Sequence, residues 1–467
     1  MLQPSKMHLG PILLPATCED LEFDWTCLGA KTSMNMTDVI ITKRDGGELS
    51  TEQINYFINA YTAGEIPDYQ AAALLMAIYL NGMNRRETVD LTMAMVRSGA
   101  QLDLHDVAPF VVDKHSSGGV GDKTTLVVQP LVAALGVPVG KMSGRGLGSS
   151  GGTLDKMESI DGWSFDLTIE QFKKQLGDIG IVLAGQSISL APADGLLYAL
   201  RDVTGTVANK SLIAASIMSK KLAGGADAIV LDVKTGCGAF METEEDAREL
   251  AQIMVAIGED SGRHTVALLS DMNEPLGNAV GNALEVKEAL NTLRGDGPED
   301  FWQHCLTVAG HMLLLAGKAE TIEEAIELAT TVRDDGRALQ KFREMVAAQG
   351  GNVAQIDDPD LLPRARYVED ILAPRDGYVA AMDTAELGWA SVNLGAGRLI
   401  KSDHIDHAVG FILPIKIGDH VASGQVIGAI HANDPAKLEE AREEILAAIS
   451  FSDTPVEPLP NFYGVIS

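Results

Sequence analysis

Residues 50–61 set a clear helical phase: Ser50-Thr51-Glu52-Gln53 is a capping box, and Ile54, Phe57, Ile58 and Tyr61 follow at i, i+3, i+4 and i+7. The same period over 69–80 and 86–96 predicts two more helices, with no strand-like run between them. Three helices in a row predict a small helical domain over 36–100, whose apolar stripes offer a surface for a second copy. From residue 110 the pattern changes. Short apolar runs at 110–112 and 137–139 and near-continuous aliphatic runs at 181–184, 228–233 and 265–270 alternate with longer stretches of helical period, and 192–223 reads as helical. Such runs suit strands of a parallel sheet buried on both faces. The fold class predicted is therefore α/β: a small all-helical domain, a large α/β domain with a mostly parallel sheet (101–191 and 224–348), and a C-terminal α+β subdomain (359–467).

The polar, glycine-containing 349–358 reads as a linker, and 376–432 shows short strands punctuated by glycine. Within the latter, Ile415-Lys416-Ile417-Gly418-Asp419-His420-Val421 with Gly424 resembles a lipoyl-type hammerhead. It lacks the modifiable Met-Lys-Met turn and reads as structural.

Composition narrows the partners. The 467 residues carry 36 basic and 65 acidic side chains, a balance of −29 that argues against nucleic acid and anionic membranes. Cys18, Cys27, Cys237 and Cys305 form neither a disulfide framework nor a zinc spacing, which points to a reducing cytoplasm. No apolar run of about 18 residues exists to span a bilayer. Residues 1–35 lack the plan of a signal peptide, since Pro11 and Pro15 break the short 12–14 run, and are expected to be poorly ordered.

Candidate chemistry concentrates in 113–158. Two glycine-rich loops, 116–123 and 143–153, each follow a short aliphatic run, and the first opens a helix over 124–135 stopped by Gly136. A glycine loop that opens a helix gathers backbone N–H groups and the positive end of the helix dipole at one point, which suits an oxyanion. Lys114, Lys123, Lys141, Arg145 and Lys156 stand against Asp122 and Asp155, a basic island within an acidic chain. Long-range repulsion is screened within about 10 Å at 0.1 M salt. Neither loop carries a Walker lysine-serine ending, which disfavours a kinase. The carboxyl ends of parallel strands are where such sheets bind ligands, and Lys234-Thr235-Gly236-Cys237-Gly238-Ala239-Phe240 also falls there.

The segments Lys114-His115-Ser116-Ser117-Gly118-Gly119-Val120-Gly121-Asp122-Lys123, Ser143-Gly144-Arg145-Gly146-Leu147-Gly148 and Gly151-Gly152-Thr153-Leu154-Asp155-Lys156-Met157-Glu158 resemble the thymidine phosphorylase and pyrimidine-nucleoside phosphorylase family. The likeness runs from about Thr37 to the C-terminus, and 234–241 and 282–290 lean toward the pyrimidine-nucleoside branch. It implies reversible phosphorolysis of uridine, thymidine or deoxyuridine, with inorganic phosphate attacking C1′ directly. It also implies a homodimer through the helical domain, which 192–223 would join, and a cleft between domains that closes by hinge motion. Members begin near Thr37, which makes Met34 or Met36 the expected start.

By the same resemblance, phosphate is held by Lys114, Ser116, Thr125, Lys141, Ser143 and Thr153. His115 stands by O2 of the base as general acid, with Arg201, Ser216 and Lys220 on the base and Tyr198 lining the site. Leu147, Val207, Ile213 and Phe240 form apolar walls. No organic cofactor is implied. A K⁺ ion is, at Gly121, Lys123, Leu276, Ala279 and Glu288. The branch often has Thr where Lys123 stands, so two alternatives are open: K⁺ is bound, or the Lys123 ammonium pairs with Glu288 in its place.

Ser149 replaces a customary His, and Lys210 is an added cation read either as a solvated surface group or as a broadener of substrate choice. Rival readings are a strict thymidine phosphorylase, an anthranilate-type phosphoribosyltransferase and a non-catalytic binding homologue. The second needs an acidic pair for magnesium pyrophosphate, and no convincing one follows the sheet motifs.

Overall fold

A computed structural model describes residues 34–146, 148, 151–185, 190–399 and 403–467. The expected disorder of the N-terminal extension therefore lies almost wholly outside the described residues. Four helices, not three, come first: Met36–Arg44 (α1), Thr51–Thr62 (α2), Asp68–Asn81 (α3) and Arg85–Arg97 (α4). The first is short and weakly amphipathic, so periodicity gives it no signal. The capping box at α2 is made in both directions, Gln53 N donating to Ser50 Oγ at 3.2 Å and Ser50 N to Gln53 Oε1 at 2.8 Å. Asn84 and Glu87 repeat it at α4. Glu87 is buried against Lys43 at 2.9 Å, which ties α1 to α4.

Strands and helices then alternate: Val112–Ser116 (β1), Thr124–Ala134 (α5), Val139–Met142 (β2), Thr153–Met157 (α6), Ile169–Ile179 (α7) and Ile181–Ala184 (β3). Pro192–Thr204 (α8) and Lys210–Ala223 (α9) come next, followed by Ala228–Thr235 (β4), Glu244–Asp260 (α10) and His264–Asp271 (β5). Ala193, Leu197, Leu212 and Ala215 of α8 and α9 pack with Phe57, Leu74, Ile78 and Leu91 in the helical core. The opposite side of α9, Ala214 and Met218, packs with Ile229 of β4 and Met254 of α10. Helix α9 thus belongs to both lobes.

The main sheet runs β3, β2, β1, β4, β5, all parallel, with order reversing beside β1. That reversal is the switch point where open α/β sheets bind ligands. Strand β1 lies later than the aliphatic run suggests, because Asp113, Lys114 and His115 continue the ladder against Ile229–Leu231 of β4. Beyond β5 come Ala279–Val280 (β6) and four helices, Asn282–Arg294 (α11), Glu299–Leu315 (α12), Ile322–Asp334 (α13) and Arg337–Ala348 (α14).

Residues 349–358 are no loose linker. Gln349 is buried, its amide donating to Ser164 O and Leu183 O at 2.8 Å each, which satisfies backbone acceptors beside β3. The C-terminal part forms two small sheets. One joins Gly377–Met382 (β8) to two short partners, and the other joins Tyr367–Leu372 (β7) through two strands to β6. The chain does not end there: Phe462–Ile466 returns to the main sheet and pairs antiparallel with β5, so the C-terminal subdomain stops short of residue 467. No helix among the described residues is long and apolar enough to cross a membrane.

Candidate active site

A cavity of about 440 Å³ opens at the carboxyl ends of β1 and β2, the size of a small-molecule site. Its floor is His115, Ser116, Lys141 and Ser143, with Gly118, Gly119 and Asp122 of the first loop. Thr125 from the start of α5, and Gly151, Gly152 and Thr153 of the second loop, close that side. The facing wall comes from the helical lobe: Pro192, Asp194 and Gly195 of α8, and Lys220 and Lys221 of α9.

The loops hold their shape through buried charge. The Lys156 ammonium donates to Asp122 O at 2.8 Å and Gly151 O at 3.1 Å, bridging the two loops, and pairs with Glu285 of α11 at 3.0 Å. Asp155 accepts from Gly146 N at 2.6 Å and pairs with Arg145 at 2.9 Å and Arg398 at 3.0 Å. The second loop folds back so tightly that a Cβ on Gly152 would lie 2.0 Å from Gly146 N. Ser117 Oγ accepts from Lys234 N at 2.8 Å and so pins the first loop to β4.

Lysines surround the floor. Lys221 pairs with Asp113 at 2.7 Å, and Lys141 donates to Lys114 O at 2.5 Å while standing 3.8 Å from the same Asp113. Burial, then repulsion from Lys221, pushes the Lys141 amine down to about 7. Burial likewise pushes the His115 imidazole well below its usual range, helped by Lys221, Lys141, Lys220 and Lys114, so the ring is neutral at pH 7. For Asp122 burial opposes the charge, but Lys114, Lys234 and Lys156 outweigh it and hold the carboxyl well below the usual range. On the helical wall, Lys220 Nζ sits 2.5 Å from Asp194 Oδ2 and 3.2 Å from Ser216 Oγ. Among the described residues, Asp194 Oδ1 is buried without a hydrogen-bond partner.

The structure thus brings together His115, Ser116, Thr125, Lys141, Ser143, Thr153 and Lys220. Lys114 lies on the other face of β1, its ammonium 3.9 Å from Asp122 and Asp232 beneath the first loop. Ser216 reaches the cavity only through Lys220. Arg201 is not on the wall. It is 3% exposed, and its guanidinium donates to Thr206 O, Val207 O and Leu212 O at 3.2, 2.6 and 3.1 Å, closing the turn between α8 and α9. Tyr198, Val207, Ile213 and Phe240 do not line the cavity either, and Phe240 is exposed. Leu147 and Ser149 lie outside the described residues. Lys210 pairs with Asp246 at 2.6 Å and with Glu249, both on α10 and away from the cavity, the position of a surface group. Asp194 was not singled out by any motif, because a single Asp in a helix carries no spacing signal.

The residues matched to a K⁺ site do meet, but around an ammonium. Lys123 Nζ donates to Leu276 O at 2.7 Å and Ala279 O at 3.2 Å and pairs with Glu288 Oε2 at 2.5 Å. A K⁺ ion would need those same oxygens, so the residues present do not fit it.

Two domain models of one glycosyl transferase family match the parts that form this cleft: the helical bundle domain over 37–99 and the a/b domain over 108–339. Fold and site together define a glycosyl transferase of that two-lobed class. A pyrimidine nucleoside phosphorylase C-terminal domain model matches 378–452. The pyrimidine-nucleoside phosphorylase of Geobacillus stearothermophilus is 51% identical over 434 residues, 93% of this chain and 100% of that protein. Its namesake from Bacillus subtilis (strain 168) is 54% identical over 416 residues, covering 89% and 95%. The chain belongs to the pyrimidine-nucleoside phosphorylase family. A solved anthranilate phosphoribosyltransferase from Thermus thermophilus matches with a TM-score of 0.55 at 21% identity, over 67% of this chain and 99% of that one. That likeness shows the fold alone and does not favour the phosphoribosyltransferase reading.

Proposed function

We propose that the protein catalyses reversible phosphorolysis of pyrimidine nucleosides. A phosphate oxygen attacks C1′ as the glycosidic bond breaks, the bonding pair leaves with N1 of the base, and α-(deoxy)ribose 1-phosphate forms. The observation that carries this reading is the division of one cavity: two glycine loops with Lys141 on one wall, Lys220 with Asp194 on the other, and a neutral His115 between them. The first side suits an attacking dianion held in line, the second a leaving base that gathers negative charge on its carbonyl oxygens. A neutral imidazole donates a hydrogen bond to such an oxygen, and arrival of phosphate among the lysines favours its protonation.

Base contacts available in this conformation are His115 and Lys220. Tyr198 and Ser216 join them when the helical lobe turns toward the glycine loops, a hinge motion of the usual enzyme kind, whereas Arg201 must also release the three carbonyls of its own lobe. Free Cys237 and Cys305 are compatible with the expected reducing compartment.

The test is a phosphate-dependent spectrophotometric screen over uridine, thymidine, deoxyuridine and cytidine. Base release from uridine and thymidine only when phosphate is present is expected. Release confined to thymidine would favour the strict enzyme, and consumption of phosphoribosyl pyrophosphate with magnesium would overturn the reading. Homodimerisation through the helical lobe is supported by Tyr69, Leu80 and Val203, exposed at 75%, 73% and 79%. Leu80→Glu is expected to give a monomer by light scattering, and an unchanged dimer would place the interface elsewhere.

A further inference from the structure

The Lys123 ammonium fills a cage that closes on all sides. Besides the carbonyls of Leu276 and Ala279 and the Glu288 carboxylate, it faces the Phe301 ring, 4.9 Å from the centroid. Glu288 Oε1 in turn accepts from Asn278 N and Ala279 N at 3.1 Å each. Gly277, at φ +67°, lets the loop wrap this tightly: a Cβ there would stand 2.5 Å from Glu288 Oε2 and 2.8 Å from Lys123 Nζ. Gly121, at φ +72°, permits the matching approach from the phosphate side, since its Cβ would fall 2.7 Å from Leu276 O. The loop's other carbonyls are capped from outside, Lys416 Nζ donating to Pro275 O at 2.6 Å and Gly277 O at 2.9 Å.

We infer that Lys123 is a built-in monovalent cation: its tethered ammonium replaces the K⁺ implied by resemblance, and the enzyme needs no free cation to hold its first phosphate loop. The charge at this point joins three elements. Lys123 directly follows Asp122 and precedes the helix bearing Thr125, both on the cavity. Its partners anchor that loop to the 275–279 turn and to α11. Two like charges cannot share a buried cage of three oxygens, so bound ammonium excludes K⁺. The Glu288 carboxylate at 2.5 Å and the two carbonyls meet the ammonium with one counter-charge and two acceptors, the donor set a monovalent cation would need.

The test compares chlorides of K⁺, Na⁺ and tetramethylammonium at equal ionic strength, reading thermal unfolding and phosphorolysis. The thermal readout needs no substrate, so it stands even if the substrate assignment fails. The unaltered protein is expected to unfold at one temperature in all three salts and to work at one rate. Lys123→Thr empties the cage. It is expected to unfold several degrees lower in tetramethylammonium and to recover much of that loss with K⁺. A K⁺-specific rise in unfolding temperature or activity of the unaltered protein would overturn the inference, as would indifference of Lys123→Thr to K⁺. Should that variant not fold in any salt, the comparison on the unaltered protein decides alone.

Discussion

Phosphate binding should be coupled to uptake of a proton by Lys141. Its amine lines the cavity, and the carboxylate it would use, Asp113, is 3.8 Å away and already held at 2.7 Å by Lys221. With a value of about 7 in the free protein, only about a tenth of the amine is charged at about pH 8. A bound dianion favours the charged form and returns the amine toward an ordinary lysine at about 10.4. Binding at about pH 8 then takes up about 0.9 proton per site, and affinity falls about tenfold per pH unit above 7. The full three-unit return would correspond to about 4 kcal/mol of coupling between amine and phosphate. Inorganic phosphate is already mostly dianionic there, and burial with the neighbouring lysines holds His115 well below its usual range in the free protein. Calorimetric titration of phosphate in two buffers of different ionisation enthalpy reads the proton count. Lys141→Arg, whose guanidinium is always charged, should bind with no uptake. Zero uptake by the unaltered protein, or equal uptake by Lys141→Arg, would refute the reasoning.

Gly152→Ala places a methyl 2.0 Å from Gly146 N, so the second loop must open, and kcat/KM for phosphate should fall at least about 100-fold with little change in Tm. Asp194→Asn removes the counter-charge of Lys220, a charge-assisted hydrogen bond of about 1.5–3 kcal/mol, so kcat/KM should drop about 10- to 150-fold, with partial rescue by Asp194→Glu. Arg201→Ala strips the charged donors from three backbone carbonyls and should lower unfolding stability by about 1.5–3 kcal/mol in urea. Loss of activity at unchanged stability would instead make Arg201 purely a substrate contact.

What the chain reveals by itself follows from which forces are local. The capping box at Ser50 and the aliphatic strands at 181–184 and 228–233 are written in periods of 3.6 and in continuous burial, and the structure places elements there. Helix α1 has no such stripe: it sets only Met36 and Val39 into the helical core and adds the buried Lys43–Glu87 pair, 44 residues apart in sequence. The Gln349 amide looks like linker polarity until its carbonyl partners at Ser164 and Leu183 are known. The last strand is short and half-buried, and only β5 gives it a reason to be a strand. Both glycine loops are legible because a backbone oxyanion cradle must be glycine-rich. Their cross-link by Lys156, and the Asp194 that faces Lys220, depend on tertiary approach and leave no trace in spacing.

Why an acidic chain should bury so many lysines near one cleft has a specific answer in the pairing distances. Among the described residues, buried Lys43, Lys123, Lys156, Lys221 and Lys234 each hold a carboxylate at 3.0 Å or less. Lys114 and Lys141 do not: their carboxylates stand off at 3.8–3.9 Å, and both lie under the glycine loops. A buried ammonium without a close partner is unfavourable in the free protein. Its cost is sustained by the surrounding satisfied pairs, which fix the backbone on either side. On the proposed reading a phosphate dianion supplies the missing negative charge, and the same fixed positive field favours it over water as the nucleophile. Lys141, on the cavity and without a close counter-charge, then draws the phosphate directly, and Lys114 adds to the field from the other face of β1.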